Sequence, residues 1–357
     1  MRVAADQLSR QVEAILRAWG MSPEHARITA ARLAHADIRG IDSHGVALIL
    51  FYAQQRAEGR IEFAPEIRVL RESPVTALID GGHSLGQIPS TRAMQLAIEK
   101  CRNSGLAAVA VKNSNHYGAA GAYAMMAADA GLIGMSFTSV WNTAIVPTFG
   151  ADAMFGTNPI AFAAPGRRHG AFCLDMATST VAIGKLKLAA LHEKPLEQGW
   201  ALDGSGQVTT DPATALASRR LTPLGGTRPL GSHKGYGLAA MVEILCTMLP
   251  GAWYAPTRDM RHPGERHFNI GHFFLAIDPK CFRDEGEFET DLDDMIDALH
   301  ACRRADPAQP VWVAGDPELQ AMEERSSRGI PVPEALLAQL HAIAAECGAA
   351  WLLGPVA

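Results

Sequence analysis

The chain has 357 residues, with 32 Lys plus Arg against 37 Asp plus Glu, a formal net charge of -5, 48% hydrophobic residues and only 19% charged ones. That apolar content excludes a largely disordered chain, and an acidic balance without a basic stripe excludes a general binder of nucleic-acid phosphates. Single cores stop growing near roughly 250 to 300 residues, so the length favours two domains or one domain with a large appendage.

The first residues mix charges into their apolar positions, unlike a signal peptide, and no apolar run reaches the ~20 residues of a membrane span, so no membrane partner is expected. Leu8, Val12, Ile15, Leu16 and Trp19 share one face at 3.6-residue spacing and predict a first helix closed by Gly20. Ser22-Pro23-Glu24 predicts an N-cap, Pro at the first helical position and a second helix to about Asp37. A third helix is expected over residues 46–57, after the polar segment Arg39-Gly40-Ile41-Asp42-Ser43-His44-Gly45. From Glu66 onward, strands are expected at residues 67–70, 75–79, 107–111, 133–138, 160–164 and 171–174, with 273–277 as the last. Helices are expected at 91–104, 119–130, 181–192 and 237–248. Residues 193–230, rich in Gly, Thr, Asp and Pro, read as a long functional or flexible loop. The acidic stretch 284–297 reads as the solvated face and first turn of a helix. Leu292, Met295, Ile296 and Leu299 share one face near the C-terminus, as do Leu336, Leu337, Leu340 and Ile343. The expected fold is mixed α/β (α+β). Residues 1–65 and 283–357 would form a helical domain from both termini, and residues 66–282 a central α/β domain. Cys101, Cys173, Cys246, Cys281, Cys302 and Cys347 are scattered without a Cys-x-x-Cys pair, as in a cytoplasmic protein with free thiols.

Polar residues concentrate where strands and loops meet helices. In Ser43-His44-Gly45 the hydroxyl can orient the imidazole and the glycine leave room for a ligand, although an N-cap serine beside an exposed histidine has the same pattern. Residues 112–121 (KNSNHYGAAG) follow a buried strand and open a helix, where backbone N–H groups can hold phosphate or carboxylate and His116 sits at the strand's carboxyl end. Gly156-Thr157-Asn158-Pro159 and Asp175-Met176-Ala177-Thr178-Ser179 each join an apolar run to small hydrogen-bonding residues; Asp175 could hold a ribose hydroxyl or fix a lysine. Residues 235–240 match G-x-G-x-x-A, but no buried strand precedes them, so a Rossmann dinucleotide fingerprint is rejected; Lys234 reads instead as a phosphate or carboxylate contact. There is no Walker A sequence. His262, His267 and His272 are spaced by five, off any common helical face, so no metal is expected.

Together these segments resemble the type-2 malate/L-lactate dehydrogenase family, which also includes ureidoglycolate and sulfolactate dehydrogenases and piperideine-2-carboxylate/pyrroline-2-carboxylate reductases. The resemblance spans nearly the whole chain and rests on RGIDSHG at 39–45, NSNHYG at 113–118, FGTNPI at 155–160, DMATS at 175–179, LGG at 224–226 with HKGY at 233–236, and Gly271-His272. It implies a homodimeric oxidoreductase using NAD or NADP on a non-Rossmann mixed-sheet domain. By the same resemblance His44 is the acid/base, oriented by Ser43, and His116 a second candidate; Thr157 and Asn158 are substrate contacts. His116, Tyr117, Gly118, Ala119, Ala120, Ser139, Asp175, Met176, Ala177, His233, Lys234 and, by a weaker motif match, Gly315 and Asp316 are cofactor contacts. Many members have Arg four residues after the motif histidine, where this chain has Leu48, and the imine reductases have Asp where it has Lys185. The first departure leaves the substrate carboxylate without an assigned anchor; the second counts against an imine.

The expected reaction interconverts a small 2-hydroxy acid, malate- or lactate-like, and its 2-keto acid by hydride transfer. The alternatives are NADPH-dependent reduction of a cyclic imine such as piperideine-2-carboxylate and a non-catalytic nucleotide-binding dimer. Glycines 45, 118, 156, 235 and 271 are expected where backbone must approach substrate or coenzyme.

Overall fold

The computed structural model describes residues 1–354. The chain opens with a short strand β1 (Arg2–Val3) and helices α1 (Ala5–Ala18), α2 (Pro23–Ile38) and α3 (Leu48–Ala57). Ser22 Oγ accepts the His25 N–H at 3.3 Å, which caps α2 as the sequence predicts. Strands β2 (Arg68–Glu72), β3 (Thr76–Ser84), β4 (Leu106–Ser114), β5 (Ile133–Thr138), β6 (Ile160–Ala164) and β7 (Phe172–Met176) follow, with α4 (Gln87–Ser104) between β3 and β4 and α5 (Gly121–Asp129) between β4 and β5.

Residues 193–230, expected as a loop, carry structure of their own. After α6 (Ile183–Leu191), strands β8 (Ala201–Leu202), β9 (Val208–Thr209) and β10 (Arg220–Leu221) make a three-stranded sheet packed with α7 (Pro212–Ser218). Leu186, Leu196, Ala201, Ala215 and Leu221 form a separate small core there. Two-residue strands are too short to leave the alternation that reveals a strand. Helix α8 (Ser232–Glu243) runs into a π-helical turn (Ile244–Met248), then come α9 (Ala255–Arg261), β11 (Ile270–Ile277), α10 (Glu287–His300), α11 (Asp316–Arg328), β12 (Ile330–Pro331) and α12 (Glu334–Cys347). Strand β11 is therefore not the last: β12 pairs antiparallel with β1. The acidic stretch is not wholly solvated either, because buried Asp293 accepts the N–H groups of Arg167 and Arg168 at 3.2 and 2.8 Å.

The main sheet has seven strands in the order β2-β3-β4-β11-β5-β6-β7. Only β3 and β4 are parallel; every other neighbouring pair is antiparallel. A parallel doubly wound sheet is thus absent, which explains why no dinucleotide fingerprint exists. Along β4, Ala107, Val109 and Val111 alternate into a core with Met94, Ala97, Tyr123 and Ala124 of α4 and α5. On the opposite face Phe137, Ile160 and Phe273 pack on Leu238, Val242 and Cys246 of α8 and its π turn. The terminal helices share a further core, in which Leu8, Ile15, Leu33 and Ile49 meet Ile330, Leu337 and Leu340. No helix among the described residues is long and apolar enough to cross a membrane, and all six cysteines are free thiols.

Candidate active site

Sheet topology gathers the motifs on one edge. Strands β4 and β5 both run antiparallel to the β11 between them, so both end at the edge where β11 begins. Strand β6 enters from that edge and β7 returns to it. His116, Ser139, Thr157 and the segment from Asp175 to Ala177, distant in sequence, therefore line a common rim.

Two histidines from different elements face each other over this rim. His44 ends a single 3-10 turn, Asp42–His44, and its ring stacks on that of His116 with centroids 5.7 Å apart and planes 27° apart. Ser43 Oγ lies 2.8 Å from His44 Nδ1, which leaves Nε2 as the free ring nitrogen. Burial holds the His44 imidazole below its ordinary value of 6.5. His116 is more deeply set: burial, reinforced by the neighbouring His44, lowers it to about 3, so it is neutral near pH 7. Its tautomer follows from its partners. Gln87 Nε2 donates to Tyr52 Oη at 2.6 Å, Tyr52 Oη lies 3.2 Å from His116 Nδ1, and the Gly118 N–H donates to the same nitrogen at 3.3 Å. An Nδ1 that accepts from a backbone N–H carries no proton, so the neutral ring holds its proton on Nε2. His116 is thereby a fixed hydrogen-bond donor beside a titratable His44.

The loop after His116 offers further donors. Ala119 and Ala120 are buried, and their N–H groups have no acceptor among the described residues. The next N–H, of Gly121, donates to Asp175 Oδ2 at 2.7 Å. Buried unpaired donors at a helix start are costly unless a ligand accepts from them. Asp175 is open to solvent on one side but deep in a concave cleft, and this desolvation, partly offset by the Gly121 N–H, raises its carboxyl to about 6. That cleft is lined by Arg39, Gly121, Cys173, Asp175, Gly315 and Glu318. Gly315 sits at φ 105° and a Cβ there would come within 3.2 Å of Cys173 N, so glycine is needed for α11 to start against β7. Thr178, just after Met176 and Ala177, accepts the Leu224 N–H at 2.9 Å, and Leu224 packs on Gly235, so the start of α8 with exposed His233 and Lys234 abuts the same ridge.

Several residues stand differently from expectation. Asn158 is fully buried, and its amide donates to Ala239 O at 3.0 Å and Glu243 Oε2 at 2.8 Å, so it fastens the Thr157 loop to α8, while its Oδ1 has no hydrogen-bond partner among the described residues. Thr157 is half-buried, and its carbonyl accepts from Thr178. The Tyr117 ring is buried against His272 at 4.7 Å and Tyr123 at 4.8 Å, which leaves only its backbone to meet a ligand. Ser139 is 4% exposed and bonds Gly271. Asp316 pairs with His300 at 2.7 Å and accepts the Val313 N–H, so its carboxylate ties the start of α11 to the end of α10 and to the segment between them. His272 is a core histidine bonded by Thr138 and Ser114 at 2.7 and 2.8 Å. Among the described residues no three His, Cys, Asp or Glu side chains are arranged to hold a metal.

The model of the malate/L-lactate dehydrogenase family matches residues 3–341. The chain belongs to this family. It is accordingly a dehydrogenase acting on the CH–OH group of a hydroxy acid, and the family implies a nicotinamide cofactor. A malate dehydrogenase of Pyrococcus abyssi is 40% identical over 349 residues, covering 98% of this chain and 95% of that protein. An L-sulfolactate dehydrogenase of Methanocaldococcus jannaschii is 36% identical over 337 residues, 94% of each chain. The crystal structure of malate dehydrogenase from Entamoeba histolytica superposes with a TM-score of 0.93 at 30% identity, covering 98% of this chain and 99% of that one.

Two residues of the dehydrogenase's histidine centre escaped sequence reasoning: Tyr52, wholly buried on α3, and Gln87, buried at the start of α4. A buried tyrosine hydroxyl requires a partner, which is a usable signal for Tyr52. Nothing local marks Gln87 as that partner, because it lies 35 residues away.

Proposed function

We propose that this dehydrogenase interconverts a small 2-hydroxy acid of the malate or lactate type and its 2-keto acid, with His44 exchanging the hydroxyl proton. The observation that carries this reading is the facing pair of imidazoles, one titratable and one locked as a neutral donor. In the oxidative direction neutral His44, its own proton on Nδ1 and directed at Ser43 Oγ, takes the hydroxyl proton on Nε2. In the reductive direction the imidazolium returns that proton. His116 Nε2–H donates to the same substrate oxygen and stabilises the charge that builds on it. Thr157 contacts the substrate, and Asn158 holds the Thr157 loop in place.

The residues present fit a nicotinamide dinucleotide, since the unpaired N–H groups of Ala119 and Ala120 need an anionic or polar acceptor at the start of α5. Those groups, with the backbone of His116, Tyr117 and Gly118, and with Asp175, Met176, Ala177, Lys234 and Gly315, would hold it; Ser139, His233 and Asp316 would support that wall. When bound, it supplies the hydride acceptor or donor. We also propose a homodimer. Ile244, Met248 and Leu249 are each more than half exposed on the π turn and its end, a contiguous apolar surface suited to a second copy. The division we propose is a helical wall from residues 1–65 and 283–357 over a central α/β part, residues 66–282.

The test is a panel of 2-hydroxy acids, 2-keto acids and cyclic imines, each with NAD and NADP in the matching redox state, followed by nicotinamide absorbance. Turnover of hydroxy and keto acids is expected. Turnover of cyclic imines alone would replace the substrate assignment, and cofactor binding without turnover of any acid would overturn it.

A further inference from the structure

The His44 turn rests on a buried carboxylate. Asp37, in the last turn of α2, is 3% exposed, and its Oδ2 accepts the Val46 N–H at 2.7 Å, directly after the Ser43-His44-Gly45 segment. A Cβ at position 45 would lie 1.8 Å from Asp37 Oδ1 and 2.1 Å from its Cγ, so only glycine lets the carboxylate enter beneath the turn. The φ of Gly45 (-93°) lies outside the left-handed region that favours glycine, and the steric requirement for glycine comes from Asp37. From the other side, Arg325 of α11 donates to the Asp37 carbonyl and grips Asp42 through both terminal nitrogens, one of them 3.1 Å from Asp42 Oδ2. Ala321, one helical turn earlier, fits against Gly40, whose added Cβ would stand 3.1 Å from the Ala321 Cβ. The turn is therefore held at both ends: Asp42 by Arg325 and Val46 by Asp37, with Ser43 and His44 between them.

We infer that Asp37 and Arg325 form a clamp that sets the position of His44, making both of them positioning residues for proton exchange. The inference rests on the reading of His44 as acid/base. Asp37 acts through the Val46 backbone, and Arg325 through the Asp42 carboxylate and the Asp37 carbonyl, at the two ends of a five-residue segment. A backbone N–H held at 2.7 Å by a buried carboxyl oxygen is a local anchor whose removal leaves that buried donor unpaired. Releasing it lets the His44 ring leave its stacked position over His116, and a misplacement near 1 Å at a reacting group is worth about 100-fold in rate.

The experiment compares Asp37→Ala, Asp37→Asn and Arg325→Gln in the full-length enzyme with Ser43→Ala and His44→Ala, measuring kcat, substrate KM, cofactor Kd, and the pH profile. The Asn side chain keeps an oxygen for the Val46 N–H. The expected result is that Asp37→Ala and Arg325→Gln lower kcat by about 10- to 100-fold with cofactor Kd unchanged, and that Asp37→Asn restores most of the loss. The same two losses are expected to move the acid limb of the pH profile upward, because a released His44 becomes better solvated. Should Asp37→Ala fail to fold, Arg325→Gln and Asp37→Asn still decide. Unaltered kcat and pH profile in Arg325→Gln and Asp37→Ala overturn the clamp, as does a loss confined to cofactor Kd. If His44→Ala itself keeps full turnover, the acid/base reading fails; if His44→Ala is inactive while the clamp variants are normal, the clamp alone fails.

Discussion

Replacing Tyr52 by Phe deletes one oxygen from the centre of a three-residue relay and leaves the ring packing intact. Tyr52 is 0% exposed, accepts from Gln87 Nε2 at 2.6 Å and lies 3.2 Å from His116 Nδ1. Two hydrogen bonds at about 1 kcal/mol each are lost, and stranding the buried Gln87 amide adds about 1 to 3 kcal/mol. Total destabilisation of about 3 to 5 kcal/mol lowers Tm by about 6 to 20 °C on the scaling of a ~150–250-residue domain, and by less in a chain this long. Catalysis suffers through His116. With the Tyr52 hydroxyl gone, Nδ1 keeps only the 3.3 Å bond from Gly118, and the tautomer with its proton on Nδ1 gains access. Loss of about 1 to 2 kcal/mol of orienting free energy corresponds to roughly a 5- to 30-fold fall in kcat/KM. Steady-state kinetics with a saturating nicotinamide cofactor, together with cofactor Kd by fluorescence titration, provides the assay. A Tyr52→Phe variant with wild-type kcat/KM, or one impaired only in cofactor affinity, would refute the relay.

Three further outcomes are expected. Gly271→Ala should abolish soluble folded protein, because its Cβ would lie 1.6 Å from the Cys246 carbonyl oxygen, between β11 and the π turn; circular dichroism and a thermal melt check this. Burial raises the Asp37 carboxyl to about 7, against about 3.9 in an unfolded chain. The unfolded state therefore gives up its proton first, and stability from this group, complete below pH ~4, is lost as pH rises toward 7, by about 4 kcal/mol at most. Asp37→Asn should flatten that slope in urea melts taken at several pH values. Because His44 titrates below 6.5, hydroxy-acid oxidation should rise with pH through its pKa and keto-acid reduction should fall through it, as paired pH–rate profiles would show.

Helices with a single apolar face were legible in the sequence: α1, α2 and α12 lie where Leu8, Ser22-Pro23 and Leu337 indicate. The strands of the main sheet were legible too, because Val109 and Val111 or Phe273 and Leu275 show the two-residue period. The small β8-β9-β10 sheet was hidden by the shortness of its strands. At the site, Ser43, His44 and His116 could be named as residue types suited to proton exchange, whereas their stacking depends on bringing α3 and β4 together. The glycines are the instructive case. Position 45 is filled from behind by Asp37, 156 packs on Val140, 235 on Leu224 and 271 on the Cys246 carbonyl. Only Gly118, at φ 84° and with its missing Cβ about van der Waals distance from Gln87 and the His44 carbonyl, lies in the histidine centre itself. A glycine pattern records close approach of something, and sequence cannot tell whether that is ligand or the protein's own chain.

Proton exchange by His44 is most directly tested with His44→Ala, by measuring single-turnover oxidation of a 2-hydroxy acid with preformed enzyme–cofactor complex. The predicted result is unchanged cofactor binding with hydride transfer slowed by about 100-fold or more. Hydride transfer at the wild-type rate in that variant would contradict it.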